Sequence, residues 1–364
     1  MKRIFKIIGL VVLVVLITLI TLVIARRSTH KDLYQPPPII KNVPSVSSVI
    51  PIDTAFCEDT LATKAGTLCA VQPSKTGAGI SDIGETTGKI KFRKTGFGYH
   101  TVGIPDDLAN AKGIWVHFTG SYGKPYNQNA GTFADSVWLD EVMAAGYVVI
   151  QLAYDNQYSV NYDLCGVKTE GHNRDNCAGE VREIGQTGQG ESPYRSTDAF
   201  NTIDYRLEKL LAYLENTQGI DLPGTIDPTN VDWSTLHLSG HSQGANQAYY
   251  IAKNRLVAGA CIIAGGYDTG DTVNPNKLNI ADWFLKEGNQ TPLSAVRAIL
   301  ATTDDSYQLF LTGLTKAVAL PSDQIIIVDK KVYTDENGTE VKGHPGVIKD
   351  PSIKAERAEA CFRG

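Results

Sequence analysis

A chain of 364 residues is long enough to bury a large core, and its 42% hydrophobic and 20% charged residues are ordinary for a globular protein. The formal net charge is −5, with no cluster of Lys and Arg beyond the first 31 residues. Phosphate binding needs a concentrated basic surface, so nucleic acid is excluded as an expected partner.

The N-terminus departs from this balance. Ile7 to Ala25 carries no charge and is interrupted only by Gly9, Thr18 and Thr21. At about 1.5 Å per residue the run matches the ~30 Å of hydrocarbon that a helix must cross. It exceeds a signal-peptide core, and Arg26-Arg27 follow it where small cleavage-site residues would stand. Residues 1–27 therefore read as one transmembrane anchor in preference to a cleaved signal, in which case the protein would be secreted. Basic residues flank the run on both sides, so charge alone leaves its orientation open. Residues 28–52 hold Pro36, Pro37, Pro38, Pro44 and Pro51 among several serines, the composition of an extended linker. Residues 53–364 show no repeat and no second linker and read as one catalytic-sized domain.

Six cysteines follow. Cys57 and Cys69, and Cys165 and Cys177, are each twelve apart in polar, Gly-rich surroundings that suit short-loop disulfides. Cys261 and Cys361 would then close a long loop, although six cysteines allow fifteen pairings and Cys261 could be a free buried thiol. Zinc sites show closer Cys spacing or partner histidines, so no metal is expected. An oxidising compartment is the better reading and places the domain outside the cytoplasm.

Short apolar runs then alternate with amphipathic ones, the signature of a mostly parallel sheet with helices on both faces. Residues 89–104 suggest an antiparallel pair that starts the sheet. "GIWVHFTG" (113–120) reads as a strand and "FADSVWLDEVMAAG" as a helix ended by Gly146 in the left-handed position. "YVVIQLAY" (147–154) is the next strand. Phe200, Ile203, Leu207, Leu210, Leu211 and Leu214 fall at helical spacing, with Ser196 placed to cap the start. "TLHLSG" (235–240), "VAGACIIAGG" (257–266), "AVRAILATT" (295–303) and "QIIIVD" (324–329) complete the strands. Continuous apolar runs imply that both faces of the central strands are covered. Residues 155–195 and 267–292 interrupt the alternation after predicted strands, at the edge where such sheets bind ligands.

Between strand and helix stands Gly240-His241-Ser242-Gln243-Gly244. A serine at the tip of a tight strand-to-helix turn needs neighbours two positions away that are nearly free of side chain, as Gly240 and Gly244 are. The turn presents Oγ, and the helix start presents N–H groups, Gln243 N–H among them, to an oxyanion. In this context the chain resembles the α/β-hydrolase superfamily of serine hydrolases over most of residues 85–350. The resemblance implies a triad in the order serine, acid, histidine. The acid belongs just after the penultimate strand, where "AILATTDDSY" offers Asp304 in the Gly-x-x-Asp register, with Asp305 as the alternative because the glycine is replaced by Ala301. One of the pair could instead cap the helix near Ser306. The histidine belongs after the last strand, where His344 lies between Gly343 and Pro345, beyond a small hairpin expected in "KKVYTDENGTEVKG". "VHFTGSYGKPY" resembles the loop that gives the second oxyanion donor. Ser121 N–H is expected there, with Thr119 and Tyr122 as the other registers.

The resemblance implies a serine hydrolase acting on a small or polymeric acyl substrate, ester before amide, with no cofactor. A silent binding module on the same scaffold and an acyltransferase using the same triad are the alternatives. His117, His237 and His241 are expected to pack or hydrogen-bond locally. Asn289-Gln290-Thr291 and Asn337-Gly338-Thr339 match the glycosylation pattern, and "NCAGEVREIGQTGQG" (176–190) has no evident purpose.

Overall fold

The structure, a computed structural model, describes residues 53–82, 97–166, 176–224, 230–270 and 279–363. The N-terminal apolar segment, the Pro-rich linker and the first half of the expected 89–104 pair lie outside them. No helix among the described residues is long and apolar enough to cross a membrane.

Among the described residues, nine strands form the central sheet: β1 (Asp59–Ala62), β2 (Gly66–Val71), β3 (His100–Pro105), β4 (Ile114–Phe118), β5 (Val148–Gln151), β6 (Leu236–His241), β7 (Gly259–Ile263), β8 (Val296–Ala301) and β9 (Ile325–Val328). Their spatial order is β1-β2-β3-β5-β4-β6-β7-β8-β9. The first three pair antiparallel and β3 meets β5 antiparallel; from β5 to β9 every pairing is parallel. Every strand expected from 113 onward is present within a few residues. The β1–β2 hairpin is an addition: its outer strand is mostly exposed and polar, and so lacks a run of buried apolar residues.

Alternation along a strand splits the core in two. On β4, Ile114, Val116 and Phe118 point to one face, where they meet Ile203, Leu207, Leu210 and Leu211 of helix α3 (Ile203–Ala212). Trp115 points to the other face, where it meets Trp138, Leu139 and Val142 of helix α1 (Ser136–Ala144). Both faces are thus covered, as the continuous apolar strands required. Gly146 takes the expected left-handed φ of 92° after α1.

Two expectations are corrected. Helix α3 begins later than its apolar spacing suggested, and Thr202, not Ser196, caps it by accepting Tyr205 N–H at 3.2 Å. Residues 155–195 contain a helix, α2 (Cys177–Thr187), that periodicity did not reveal. Gly179 and Gly185 lower its helix propensity, and the polar residues Arg182 and Gln186 lie on its buried side.

The disulfides are Cys57–Cys69, Cys165–Cys177 and Cys261–Cys361, leaving no free cysteine. Cys261 is therefore not a free thiol. The third bridge spans 100 residues and ties β7 to the last helix, a closure worth on the order of 4–5 kcal/mol in the chain-entropy view. Three disulfides fit an extracellular or periplasmic domain.

Candidate active site

Ser242 sits between β6 and helix α4 (Gln243–Asn254) with φ 57° and ψ −121°. For a residue with a Cβ this is a strained backbone, costing on the order of 1–3 kcal/mol. Surrounding contacts leave no other path. A Cβ on Gly240 would stand 2.2 Å from the Gly244 backbone, and one on Gly244 would stand 2.1 Å from the Phe118 carbonyl. The two glycines let β6 and α4 converge on β4, so the corner is tight enough to project the half-buried Ser242. Its own N–H is anchored on Ile263 O at 2.9 Å.

After β8 the chain turns at Asp304, whose N–H returns to Ala301 O at 3.1 Å. The carboxylate is buried and does two jobs at once. Oδ2 accepts His344 Nδ1–H at 2.6 Å, and Oδ1 accepts Ser306 N–H at 2.8 Å. Asp305 is exposed. His344 occupies the first turn of helix α7 (Gly343–Lys349), after the expected hairpin formed by Tyr333–Thr334 and Glu340–Val341. Gly343 is required by close approach: a Cβ there would stand 2.3 Å from Thr303 Oγ1 and 2.9 Å from Asp304 N. With Nδ1–H given to the carboxylate, the His344 Nε2 lone pair remains to accept a proton.

The loop after β4 closes over the same corner. A Cβ on Gly120 would stand 3.2 Å from Ser242 Cβ. Tyr122 N–H donates to Asn156 O at 2.8 Å, which removes Tyr122 as a donor to an oxyanion. Thr119 is buried, its carbonyl accepting Tyr154 Oη–H at 2.8 Å and its hydroxyl accepting Asn156 Nδ2–H at 2.8 Å. Ser121 and Gln243 are neighbours: Ser121 Oγ–H donates to Gln243 Oε1 at 3.1 Å, and the same oxygen accepts Val160 N–H at 2.7 Å. Gln243 Nε2–H completes the tie by donating to Tyr158 O at 3.0 Å. Sequence reading valued Gln243 for its backbone alone; its side chain also fastens the 119–123 loop to the 155–195 excursion. Tyr122 strengthens that tie with an Oη–H donated to Asp163 Oδ2 at 2.6 Å.

Behind α4 lies the purpose of "NCAGEVREIGQTGQG". Arg182 of α2 is fully buried and forms a two-pronged pair with buried Asp268, Nε to Oδ2 at 2.5 Å and Nη2 to Oδ1 at 2.8 Å. It also donates to the Gln243 carbonyl at 3.3 Å. Asp268 accepts further bonds from Trp283 Nε1–H and Asn246 Nδ2–H, each at 3.0 Å. One buried ion pair thereby joins both excursions to the first turn of α4. Removing one partner of such a pair strands a charge, at a cost of about 3–5 kcal/mol. Arg182→Ala is expected to lower the unfolding free energy by that amount in urea titration. Arg182→Met with Asp268→Leu should recover part of it; equal stability of wild type and Arg182→Ala would refute the account.

His117 and His237 pack and hydrogen-bond within the core, as expected. Ser239 Oγ accepts indole N–H groups from Trp115 at 2.7 Å and Trp138 at 3.3 Å, so its own proton goes to His117 Nδ1 at 2.8 Å. His117 Nε2 then faces Asp135 at 3.4 Å; burial works to raise the Asp135 carboxyl, but the nearby His117, with His241 and Lys349, holds it below its usual range. All of this is inside the core, away from solvent. His237 stacks on Trp115 with ring centroids 5.0 Å apart.

No family model matches the chain, and no curated protein matches it either. Among solved structures it is similar to an S-formylglutathione hydrolase from Agrobacterium tumefaciens (11% identity, TM-score 0.43, 83% of this chain and 97% of that one). It is also similar to an acetyl xylan esterase from Aspergillus awamori (14% identity, TM-score 0.34, 72% and 89%). A ferulic acid esterase stands at 12% identity and a TM-score of 0.36, over 75% and 89% of the two chains. Independently of these, the mostly parallel sheet covered on both faces, with Ser242 at the β6–α4 corner and Asp304 and His344 following β8 and β9 in chain order, is consistent with the α/β-hydrolase fold.

Proposed function

We propose that the chain is a serine hydrolase that cleaves a carboxylic ester through an acyl-enzyme. Ser242 Oγ attacks the acyl carbon as His344 Nε2 takes its proton, and Asp304 fixes the imidazole tautomer and stabilises the imidazolium that forms. The tetrahedral oxyanion is received by the N–H groups of Gln243 and Ser121. His344 then returns its proton to the leaving alcohol, and water repeats the sequence to release the acid. The observation that supports this reading most is the 2.6 Å Asp304–His344 hydrogen bond, made by residues that the resemblance had nominated, with Asp305 as the alternative acid.

The three disulfides and the N-terminal apolar run support an extracytoplasmic domain held to a membrane. An ester alcohol leaves more readily than an amine, so esters should outpace matched amides. A fluorophosphonate should form a covalent adduct that peptide mapping places on Ser242, and a chromogenic short-chain ester should be turned over with loss of activity on labelling. An unlabelled, native protein that leaves all such esters intact would reject the proposal.

A further inference from the structure

His241, between Gly240 and Ser242, has a side chain that reaches the histidine arm. Its Nε2 lies 2.9 Å from His344 O, and the two rings are tilted at 49° with centroids 4.8 Å apart. On its other side, a Cβ on Gly120 would stand 3.4 Å from His241 Nδ1. The ring is therefore wedged among the three parts of the proposed machinery: bonded through the backbone to Ser242, packed on the loop that carries Ser121, and hydrogen-bonded to the backbone of His344.

We propose that His241 is a positioning residue, which sets the place of His344 relative to Ser242 by tying the His344 carbonyl to the nucleophile turn. This rests on the functional reading above. Ser242 and His344 come from separate elements, β6–α4 and α7, so their register depends on contacts between those elements. Asp304 fixes the rotation of the imidazole, and Gly343 allows the approach to Thr303, but both act from the β8 side. His241 supplies the matching restraint from the β6 side.

A carbonyl can only accept, so the tie requires His241 to carry its proton on Nε2. The titratable groups around it are His344 of α7, Asp135 before α1 and His117 of β4. Desolvation, followed by the charge of His344, pushes the His241 pKa down to about 4 against the opposing pull of Asp135. The ring is thus neutral at neutral pH and does not add a second positive charge beside the imidazolium that forms on His344.

Glutamine and asparagine test this with one chemistry at two reaches. The Gln amide nitrogen falls near the place of Nε2, whereas the Asn amide falls near Nδ1 and stops short of the carbonyl. His241→Asn is expected to lower kcat by about 10–100-fold, the scale for a misplacement of about 1 Å, with KM within about 2-fold. His241→Gln should recover most of kcat, and the fluorophosphonate labelling rate should follow the same order. Equal kcat in wild type and His241→Asn, or equal losses in both variants that track melting temperature, would overturn the proposal. A second readout needs no turnover. The downfield proton of the His344 Nδ1–Asp304 hydrogen bond should be sharp in wild type and His241→Gln and broadened in His241→Asn. An unchanged resonance in His241→Asn refutes the positioning role even if the protein cleaves no ester, whereas loss of all labelling in wild type counts against the hydrolase reading.

Discussion

Ser242→Ala is expected to lower kcat on a chromogenic ester by about 10⁴–10⁶-fold, the cost of removing a nucleophile from a triad that acts as a unit. The change deletes one oxygen at the tip of the β6–α4 corner and nothing else. Alanine carries the same Cβ, so the φ of 57° costs it what it costs serine, and the Ser242 backbone bonds to Ile263 and Ala245 persist. Melting temperature should accordingly stay within the small range of a neutral surface change, ~0.5 kcal/mol. A variant that is folded, unlabelled by fluorophosphonate and inactive supports a serine mechanism. One that keeps the wild-type rate removes it, whatever the geometry of Asp304 and His344.

How the corner could be read from sequence alone follows from its sterics. Gly240 and Gly244 are demanded because a Cβ at either would stand 2.1–2.2 Å from backbone atoms, and a demand of that kind admits one residue type. The parallel strands were legible for a related reason: covered on both faces, each is a continuous apolar run between turn residues. Asp304 and His344 were legible through the chain order that the superfamily resemblance implies, with Asp305 left open as the acid, and the Cys165–Cys177 and Cys57–Cys69 bridges through spacing. By contrast, the β1–β2 hairpin and helix α2 left weak traces. The hairpin's outer strand is mostly exposed, and α2 turns a charged residue inward where periodicity looks for an apolar one.

Arg182 shows why such residues escape. A buried arginine is intelligible only with its partner, and Asp268 lies 86 positions away across two segments without periodicity. The same holds for the side chain of Gln243, whose partners Tyr158 and Val160 belong to the 155–195 excursion. His241 was expected to pack or hydrogen-bond locally, but the acceptor of its proton is 103 residues downstream. What sequence reading missed is the support around the site, made of pairs whose members carry no pattern individually. Of the residues proposed for chemistry, Ser242 was found through its own turn, and Asp304 and His344 through the order that the resemblance implies.

The paired carboxylates provide the sharpest separation of role from composition. Asp304→Asn should lower kcat by about 10⁴-fold, because an amide at this position no longer holds the imidazole in the tautomer that leaves Nε2 free and no longer offsets the positive charge that forms on it. Asp305→Asn, one residue along and exposed, should leave kcat within about 3-fold. Stability should not reproduce this contrast. The amide introduced by Asp304→Asn retains an oxygen able to accept Ser306 N–H, the bond by which Asp304 also fastens the turn after β8, so the loss is catalytic in origin. The measurement is kcat for both variants on one ester, with circular dichroism melts beside it. A large loss in Asp305→Asn with Asp304→Asn near wild type would move the acid to the exposed neighbour and require the loop to turn over in solution. Losses of equal size in both would mean that the pair acts through the field it casts on His344, with no single carboxylate hydrogen-bonded to Nδ1.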